Sequence, residues 1–454
     1  MHYCKRDVDV LYNCFTQFRS IMKKRFQQDV YRHISIPGIA YDVQNNAGCF
    51  NGCYALSGPV LSFVRQAIVG GRVMTRDNEK HHTTHQLVDF DAVSLYPSAM
   101  HSLPGYVVGM PKLFRDSIPS DATYYVVRIR VKAVHRQRHF PLLSIKREMS
   151  REYTNDLVDQ TMIVGKVSLE DAVEFQGIDY DVIEGVYWDA GYNNSICTVI
   201  QDMFQERLRL KAERNPLQEC IKLLLNSSYG KVIQKPIVRQ KTLVVGRDNI
   251  AKRWSQKISR VISRTRISAD IELFEEHKQL AEHFSPAHLG VQVLDQSKHL
   301  MNQVMCLAED IDATIWYQDT DSMHIDRAAL PDLTVAFKQK YNRELVGKDL
   351  GQFHSDFDLA GSSGEVFATE SIFLGKKSYI DHLACDGNQA TGFHIRMKGI
   401  PSKLLSNDPM GTYSKLLAGE SLSVDLARLC PIKIDSKSMA ITRRTEFPRT
   451  ICFA

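Results

Sequence analysis

No run of 18 or more apolar residues occurs in this 454-residue chain, which excludes a hydrophobic helical membrane span. The opening MHYCKRDVDV lacks the apolar stretch of a secretory signal. Ten cysteines scattered over this length are too few for a disulfide scaffold, and read as reduced thiols in an intracellular compartment. Repeats of fixed period and low-complexity tracts are absent. Net charge is small, +5 from 57 Lys/Arg and 52 Asp/Glu, and 44% of residues are apolar, so global disorder is excluded. What remains is a soluble chain with length for about three domains and a large buried core.

The charge is unevenly placed. Residues 201–266 hold 16 Lys/Arg against 5 Asp/Glu, a local +11, which leaves −6 for the rest. A basic block on a mildly acidic body suits a polyanion partner, although a solvated helix surface has the same composition. Its part 231–266 is poor in aromatics but holds Trp254 and six arginines, and would track a nucleic-acid backbone with salt-dependent affinity.

Periodicity gives the elements. Residues 1–30 space Val8, Leu11, Phe15, Phe18 and Met22 as a helix does. Residues 34–60, broken by Pro37, Gly38, Gly48, Gly52, Gly58 and Pro59, read as irregular connection. QLVDFDAV (86–93) and TYYVVRIRV (123–131) alternate as strands. A helix pair is expected over 197–213 and 217–229, helices over 258–284, 286–310 and 333–345, and a hairpin over 313–325. In the helix 286–310, His288, Gln292, Asp295 and His299 share a face. Residues 365–381 and 392–399 are expected to be strands.

Three carboxylates stand out. Asp91 ends a strand before the sharp turn SLYPS, and Asp319 and Asp321 flank Thr320 in the hairpin. On an extended segment, residues i and i+2 point to one face, so Asp319 and Asp321 can aim together. Carboxylates converging from adjacent strands repel each other without a cation. Mg²⁺ takes oxygen ligands, and two such ions suit phosphoryl transfer. Each Asp could instead serve a turn. In KLLLNSSYGK, Lys222, Asn226 and Tyr229 lie on one helix face, with Leu223, Leu224 and Leu225 expected in the core. A cation, an amide and a ring make poor core but a good surface for a triphosphate and a base.

These segments resemble the motifs of family B DNA polymerases, in the family's order. DAVSLYPS (Asp91 to Ser98) resembles motif A, KLLLNSSYG (Lys222 to Gly230) motif B and YQDTDS (Tyr317 to Ser322) motif C. KSY (377–379) matches the K-x-Y element, RMKGIP (396–401, with Lys398 and Gly399) the Lys-Gly segment near the primer, and VRQAIVGGR (64–72) the Gly-Gly element between editing and polymerising domains. The gaps between motifs A and B and between B and C resemble the two insertions of the protein-primed branch.

The resemblance implies a right-hand polymerase of α/β (α+β) class, with an antiparallel-sheet palm, helical fingers and a small thumb. It divides the chain into an exonuclease remnant (1–30), connection (31–72), palm with motif A (73–101), insertion (102–196), fingers (197–235), basic insertion and palm helix (236–300), palm with motif C and K-x-Y (301–400) and thumb (401–454). It implies template-directed DNA synthesis from deoxynucleoside triphosphates. Asp91 and Asp321 would be metal ligands, with Asp319 in support. Two Mg²⁺ ions, or Mn²⁺ in their place, would be the cofactors. Tyr96 would be the steric gate against a ribose hydroxyl. Lys222 would hold the triphosphate, and Asn226 and Tyr229 would flank the incoming nucleotide. Lys211 or Arg209 would supply a second fingers cation. Lys377, Tyr379, Lys398, Gly70 and Gly71 would lie along primer and template. The partners implied are primer–template DNA, nucleotides and a terminal (priming) protein, in a virus or mobile element.

One departure stands against the family pattern. YCKRD, with Tyr3 and Asp7, resembles the third exonuclease motif, but the first two have no counterpart in this sequence, so the chain alone is expected to lack proofreading. Asp270-Ile271-Glu272 has the D-x-E form of the first, in the wrong place, and reads as an ordinary helix-surface pair. Cys49 and Cys53, with His81, His82 and His85 further on, read as free thiols and an exposed loop, not a zinc site. His324 reads as a strand residue and not a ligand. The alternatives are a DNA-binding fragment without turnover and an RNA-directed polymerase, against which Tyr96 and the N-S-x-Y-G helix speak.

Overall fold

The computed structural model describes residues 2–148, 150–362, 364–405, 407–427, 429–434 and 440–453, the side chains of residues 2, 3, 388 and 389 excepted. At its centre lies the strand Leu87–Ala92, buried along nearly its whole length. It sits inside a nine-stranded antiparallel sheet, and its neighbours explain why both faces are covered. In spatial order the main path runs Val73–Thr75, Ile315–Asp319, Ser322–Asp326, Leu87–Ala92, Val366–Gly375, Ser378–Cys385 and Asn388–Met397. Phe353–Ser355 and His81–Thr83 pair off this path, with Leu87–Ala92 and Val366–Gly375 respectively. The helix Ala287–Asp310 is buried through most of its turns and packs against the helices Leu95–Ser102 and Lys166–Gln176.

The face proposed for His288, Gln292, Asp295 and His299 is occupied inside the protein. Gln292 accepts from the Val107 amide at 3.1 Å, Asp295 takes the Ser168 hydroxyl at 2.8 Å, and His299 pairs with Asp171 at 2.6 Å. His288 stacks on Trp188, and burial pushes its imidazole down to about 3.

The segment between the first two motifs builds a separate sheet in the order Lys112–Arg115, Ile178–Trp188, Tyr124–Val134, Thr161–Gly165. It has its own apolar core around Val127, Ile129, Val131, Leu169 and Ala172. The helix pair is Ser195–Ala212 and Leu217–Ser227. No described helix is long and apolar enough to cross a membrane.

Four expectations are corrected. Residues 34–60 contain a regular helix, Ile36–Asn46, whose Pro37 sits in the first turn, where its missing N–H does no harm. The stretch 258–284 is not helical: Val261–Ser268 and Ile271–His277 join Arg239–Val245 in a three-stranded sheet. Glu272, Phe274 and Glu276 alternate inward, a period of two that the charge-rich composition hides. The regular α-helix of this part of the chain, Arg247–Lys257, comes just before that stretch. The 365–381 stretch is two strands, Val366–Gly375 and Ser378–Cys385, turned at Lys377, whose φ is +57°. Leu223 is not core but 48% exposed, while Leu224 and Leu225 are buried.

Arg72 holds several of these parts together. It is 3% exposed, and among the described residues it has no carboxylate partner. Its guanidinium donates to the carbonyls of Phe140 at 2.9 Å and Pro141 at 2.8 Å, to Asn302 Oδ1 at 3.2 Å and to Gln318 Oε1. Planar donors aimed at carbonyl oxygens are what a buried arginine needs when no anion is near. Its backbone carbonyl accepts from the Thr320 amide at 2.9 Å. The preceding Gly71 has no room for a side chain, because a Cβ there would lie 2.6 Å from Thr320 Cγ2 and 3.2 Å from its Cα. We expect Arg72→Ala to destabilise the chain by about 3 kcal/mol, since it leaves several buried acceptors unpaired. The check is a urea titration, in which the midpoint should fall while the slope holds.

Candidate active site

The site forms where three strands end at the same level of the central sheet. Asp91 lies opposite Ser322, which is also opposite Asp319 across the hairpin. The Ala92 amide donates to the Asp321 carbonyl at 2.8 Å, so the segments carrying Asp91 and Asp321 are bonded together. Burial, with Asp321, Asp356 and Asp89 nearby, pushes the Asp91 carboxyl up to about 8. Asp321 is also held above the usual carboxylate range, first by burial.

The hairpin turns at Thr320 and Asp321, and Thr320 takes a left-handed φ of +61°. The segment is therefore not extended, and Asp319 and Asp321 do not share a face as strand neighbours would. Asp319 is held by Lys377, whose Nζ lies 2.7 and 3.0 Å from its two oxygens. Lys377 is itself fixed, its backbone N–H donating to the Tyr317 hydroxyl at 2.8 Å.

The helix pair supplies the other wall. Lys222 and Asn226 are exposed on one face of Leu217–Ser227, as their spacing requires. Tyr229 stacks on Tyr96, with ring centroids 4.1 Å apart and planes 21° apart. That stack joins the segments of motifs A and B directly.

The two candidates for a second cation lie exposed on the helix Ser195–Ala212. Arg209 is tied to Glu213 at 3.0 Å and Glu206 at 3.7 Å on the outer surface, and Lys211 is exposed. The cation that reaches the motif A turn is Arg207, whose Nη1 lies 3.4 Å from Ser94 Oγ. Burial lowers its pKa, and its buried Nε has no protein partner. The signal was in the sequence: Ile196, Ile200, Met203, Arg207 and Leu210 form one helical stripe, and a cation within an apolar stripe has a reason to be there. Asp356 was also missed. Its amide bonds the Asp89 carbonyl at 2.9 Å, and it adds negative potential at Asp91.

The remaining candidates divide. Gly71 lies against Thr320 of the motif C turn, and the Gly70 carbonyl accepts from the Tyr153 hydroxyl at 2.9 Å. Lys398 is exposed next to the sheet. Tyr379 does not line the open site: it is 3% exposed, packed against Tyr317 at 4.6 Å and His324 at 5.0 Å. Asp7 is exposed on the first helix, and the side chain of Tyr3 lies outside the described residues. Four of the six arginines in 231–266 are paired locally: Arg239 with Glu275 at 3.7 Å, Arg247 with Asp270 at 2.9 Å, Arg253 with Glu276 at 2.7 Å, and Arg264 with Glu272. Asp270, in the turn between two strands, and Glu272, in the second strand, therefore act as ion-pair partners and are not on a helix. Cys49 and Cys53 are free thiols pushed up to about 12 and about 11 by burial.

The shift of Asp91 has a measurable consequence. In the folded chain this carboxyl keeps its proton up to about pH 8, against an ordinary value of 3.8. Between those values the folded state binds the extra proton, so stability falls as pH rises. Without divalent ions we expect the melting temperature to drop as pH rises from about 4 to about 8, and Asp91→Asn to flatten that drop. Mg²⁺ should restore the loss at the alkaline end in the wild type only.

Comparison with known proteins agrees with this geometry. Residues 1–307 match the family described as DNA polymerase type B, organellar and viral. A DNA polymerase of Bacillus phage Nf is 29% identical over 194 residues, 41% of this chain but only 33% of that protein. The match therefore spans about a third of that relative's length. Among solved structures, Phi29 DNA polymerase aligns with a TM-score of 0.66 at 18% identity, over 95% of this chain and 69% of that one. The same enzyme complexed with primer–template DNA and incoming nucleotides aligns at 0.64 and 17%, over 93% of this chain and 68% of that one. The fold is the right-hand polymerase fold, and with more than half of its residues matched, this chain belongs to the organellar and viral type B DNA polymerases.

Proposed function

We propose that this chain carries out template-directed DNA synthesis from deoxynucleoside triphosphates. The observation that carries this reading is the meeting of Asp91 and Asp321 on bonded strand ends, with Asp91 pushed up to about 8. A partly buried pair of carboxylates, offering oxygen donors only, fits Mg²⁺, and Mn²⁺ takes the same donors. Asp91 and Asp321 would hold the two ions, with Asp319 in support. When bound, the ions supply Lewis acidity and neutralise charge at the attacking hydroxyl and the departing pyrophosphate.

The chain's own residues do the positioning. Lys222 and Arg207 hold the triphosphate from the helix pair, one from its open face and one against the motif A turn. Tyr96 gates the sugar, and Tyr229 and Asn226 flank the base. Lys377 leaves Asp319 for the primer backbone, on a strand that Tyr379 anchors from below. Lys398, Gly70 and Gly71 border the nucleic acid. Such a site acts through orientation and charge, without covalent chemistry by the protein. The complexes of the structural neighbour with primer–template DNA and nucleotides support these partners. Protein-primed replication of a viral or mobile-element genome, with a terminal protein as partner, is the reading favoured by the phage relative and by the separate insertion sheet.

Primer extension on a primed template with Mg²⁺ and nucleotides tests the activity. Asp321→Ala should reduce extension to background while salt-sensitive DNA binding persists. Extension unaffected by that change would sink the reading. A separate steady-state assay tests the second cation. Arg207→Ala should raise the nucleotide KM about tenfold, a loss of about 1.4 kcal/mol, and Lys211→Ala should leave it near the wild-type value. The opposite ranking would return the role to Lys211.

A further inference from the structure

One face of the central sheet carries a row of polar side chains in an otherwise apolar layer. His324, Asp89, Ser371, Asp381 and His394 come from five successive strands of the sheet. His324 and Asp381 are fully buried, and His394 is largely buried. Their ligand-capable atoms converge on one point. Asp381 Oδ2 lies 3.2 Å from His324 Nε2 and 3.1 Å from His394 Nδ1, and all three atoms fall within 4.8 Å of one another. It is the one such group of three among the described residues.

We propose that His324, Asp381 and His394 form a site for a divalent transition metal, with zinc as the best chemical match. Ligands at about 2.0–2.1 Å around tetrahedral zinc stand about 3.3 Å apart, close to the two separations on Asp381. A small rotation of the His394 ring, the least buried of the three, brings in the third donor. The outer contacts of a metal centre are also in place. Ser371 donates to the other Asp381 oxygen at 2.7 Å and orients the carboxylate. His324 Nδ1 faces Asp89 Oδ1 at 3.9 Å, and both atoms are buried without a hydrogen-bond partner. A metal on Nε2 leaves the proton on Nδ1, aimed at that carboxylate. The charges then close: one divalent cation offsets Asp89 and Asp381 with both imidazoles neutral. Four rings, Tyr317, Phe357, Phe373 and Tyr379, surround His324 at 5.0 to 5.6 Å and shield the site from water.

Donor type separates this site from Asp91 and Asp321. Imidazole nitrogen favours zinc, cobalt and nickel, whereas Mg²⁺ prefers oxygen. The site would tie the strand following motif C to the strand carrying Tyr379 and to the next strand outward. Its role would be to stiffen the floor of the active site, with no contact to substrate.

The test uses the whole chain, stripped with a chelator, then given Co²⁺ in the presence of excess Mg²⁺ and desalted. We expect one retained equivalent of cobalt with visible absorption from a nitrogen- and oxygen-ligated ion, and a melting temperature that Zn²⁺ raises. Asp321→Asn should keep both signals. His394→Ala should lose them, and His394→Cys should recover Zn²⁺ binding through its thiolate. Failure of the wild type to retain cobalt, or retention unchanged in a folded His394→Ala, overturns the proposal and leaves the cluster as a hydrogen-bonded ion network.

Discussion

Two carboxylates held against their mutual repulsion organise the centre of this protein. Asp91 and Asp321 cannot drift apart, because Ala92 and Asp321 share a backbone hydrogen bond and their strands are paired in register. Nor can the motif C turn back away, since Arg72 holds its amide and Gly71 presses against Thr320. Burial first, and then the charges of Asp321, Asp356 and Asp89, hold the Asp91 carboxyl up, and the scaffold does not relax this through motion. A cation or a proton relieves it, and the two compete for the same oxygens.

The segments that bear chemistry were readable because each stands on a regular element with clear ends. Leu87–Ala92, the Ile315–Asp326 hairpin and Leu217–Ser227 follow from alternation or helical spacing alone. Two features escape such a reading for physical reasons. The Val261–His277 hairpin hides its period of two, because its inward positions include Glu272 and Glu276, neutralised by Arg264 and Arg253. Composition counted those arginines as free positive charge. Arg207, which reaches the motif A turn, is not singled out by spacing to motif B, because spacing does not say which helix face looks inward, while the apolar stripe does. The exposed Leu223 beside Lys222 and Asn226 shows how narrow the buried face of that helix is.

Groups assigned to substrate are already engaged with each other. Lys377 rests on Asp319, and Tyr96 lies flat on Tyr229. Nucleic acid and nucleotide must compete with these contacts, so part of their binding energy goes into parting them. An exposed lysine on a carboxylate is a weak pair and is easily exchanged for a phosphate. Two half-buried stacked rings resist separation more, because their contact also removes apolar surface from water.

The way Arg72 is satisfied bears on the insertion between the first two motifs. That segment has its own sheet and its own core, so it looks removable. Yet two of the oxygens that accept hydrogen bonds from Arg72 are the carbonyls of Phe140 and Pro141, which belong to it. Excising the insertion would strand a cation in the middle of the protein. Any shortened or grafted version of this fold therefore has to change residue 72 in the same step, and a lineage that lost the insertion without doing so would not keep a folded centre.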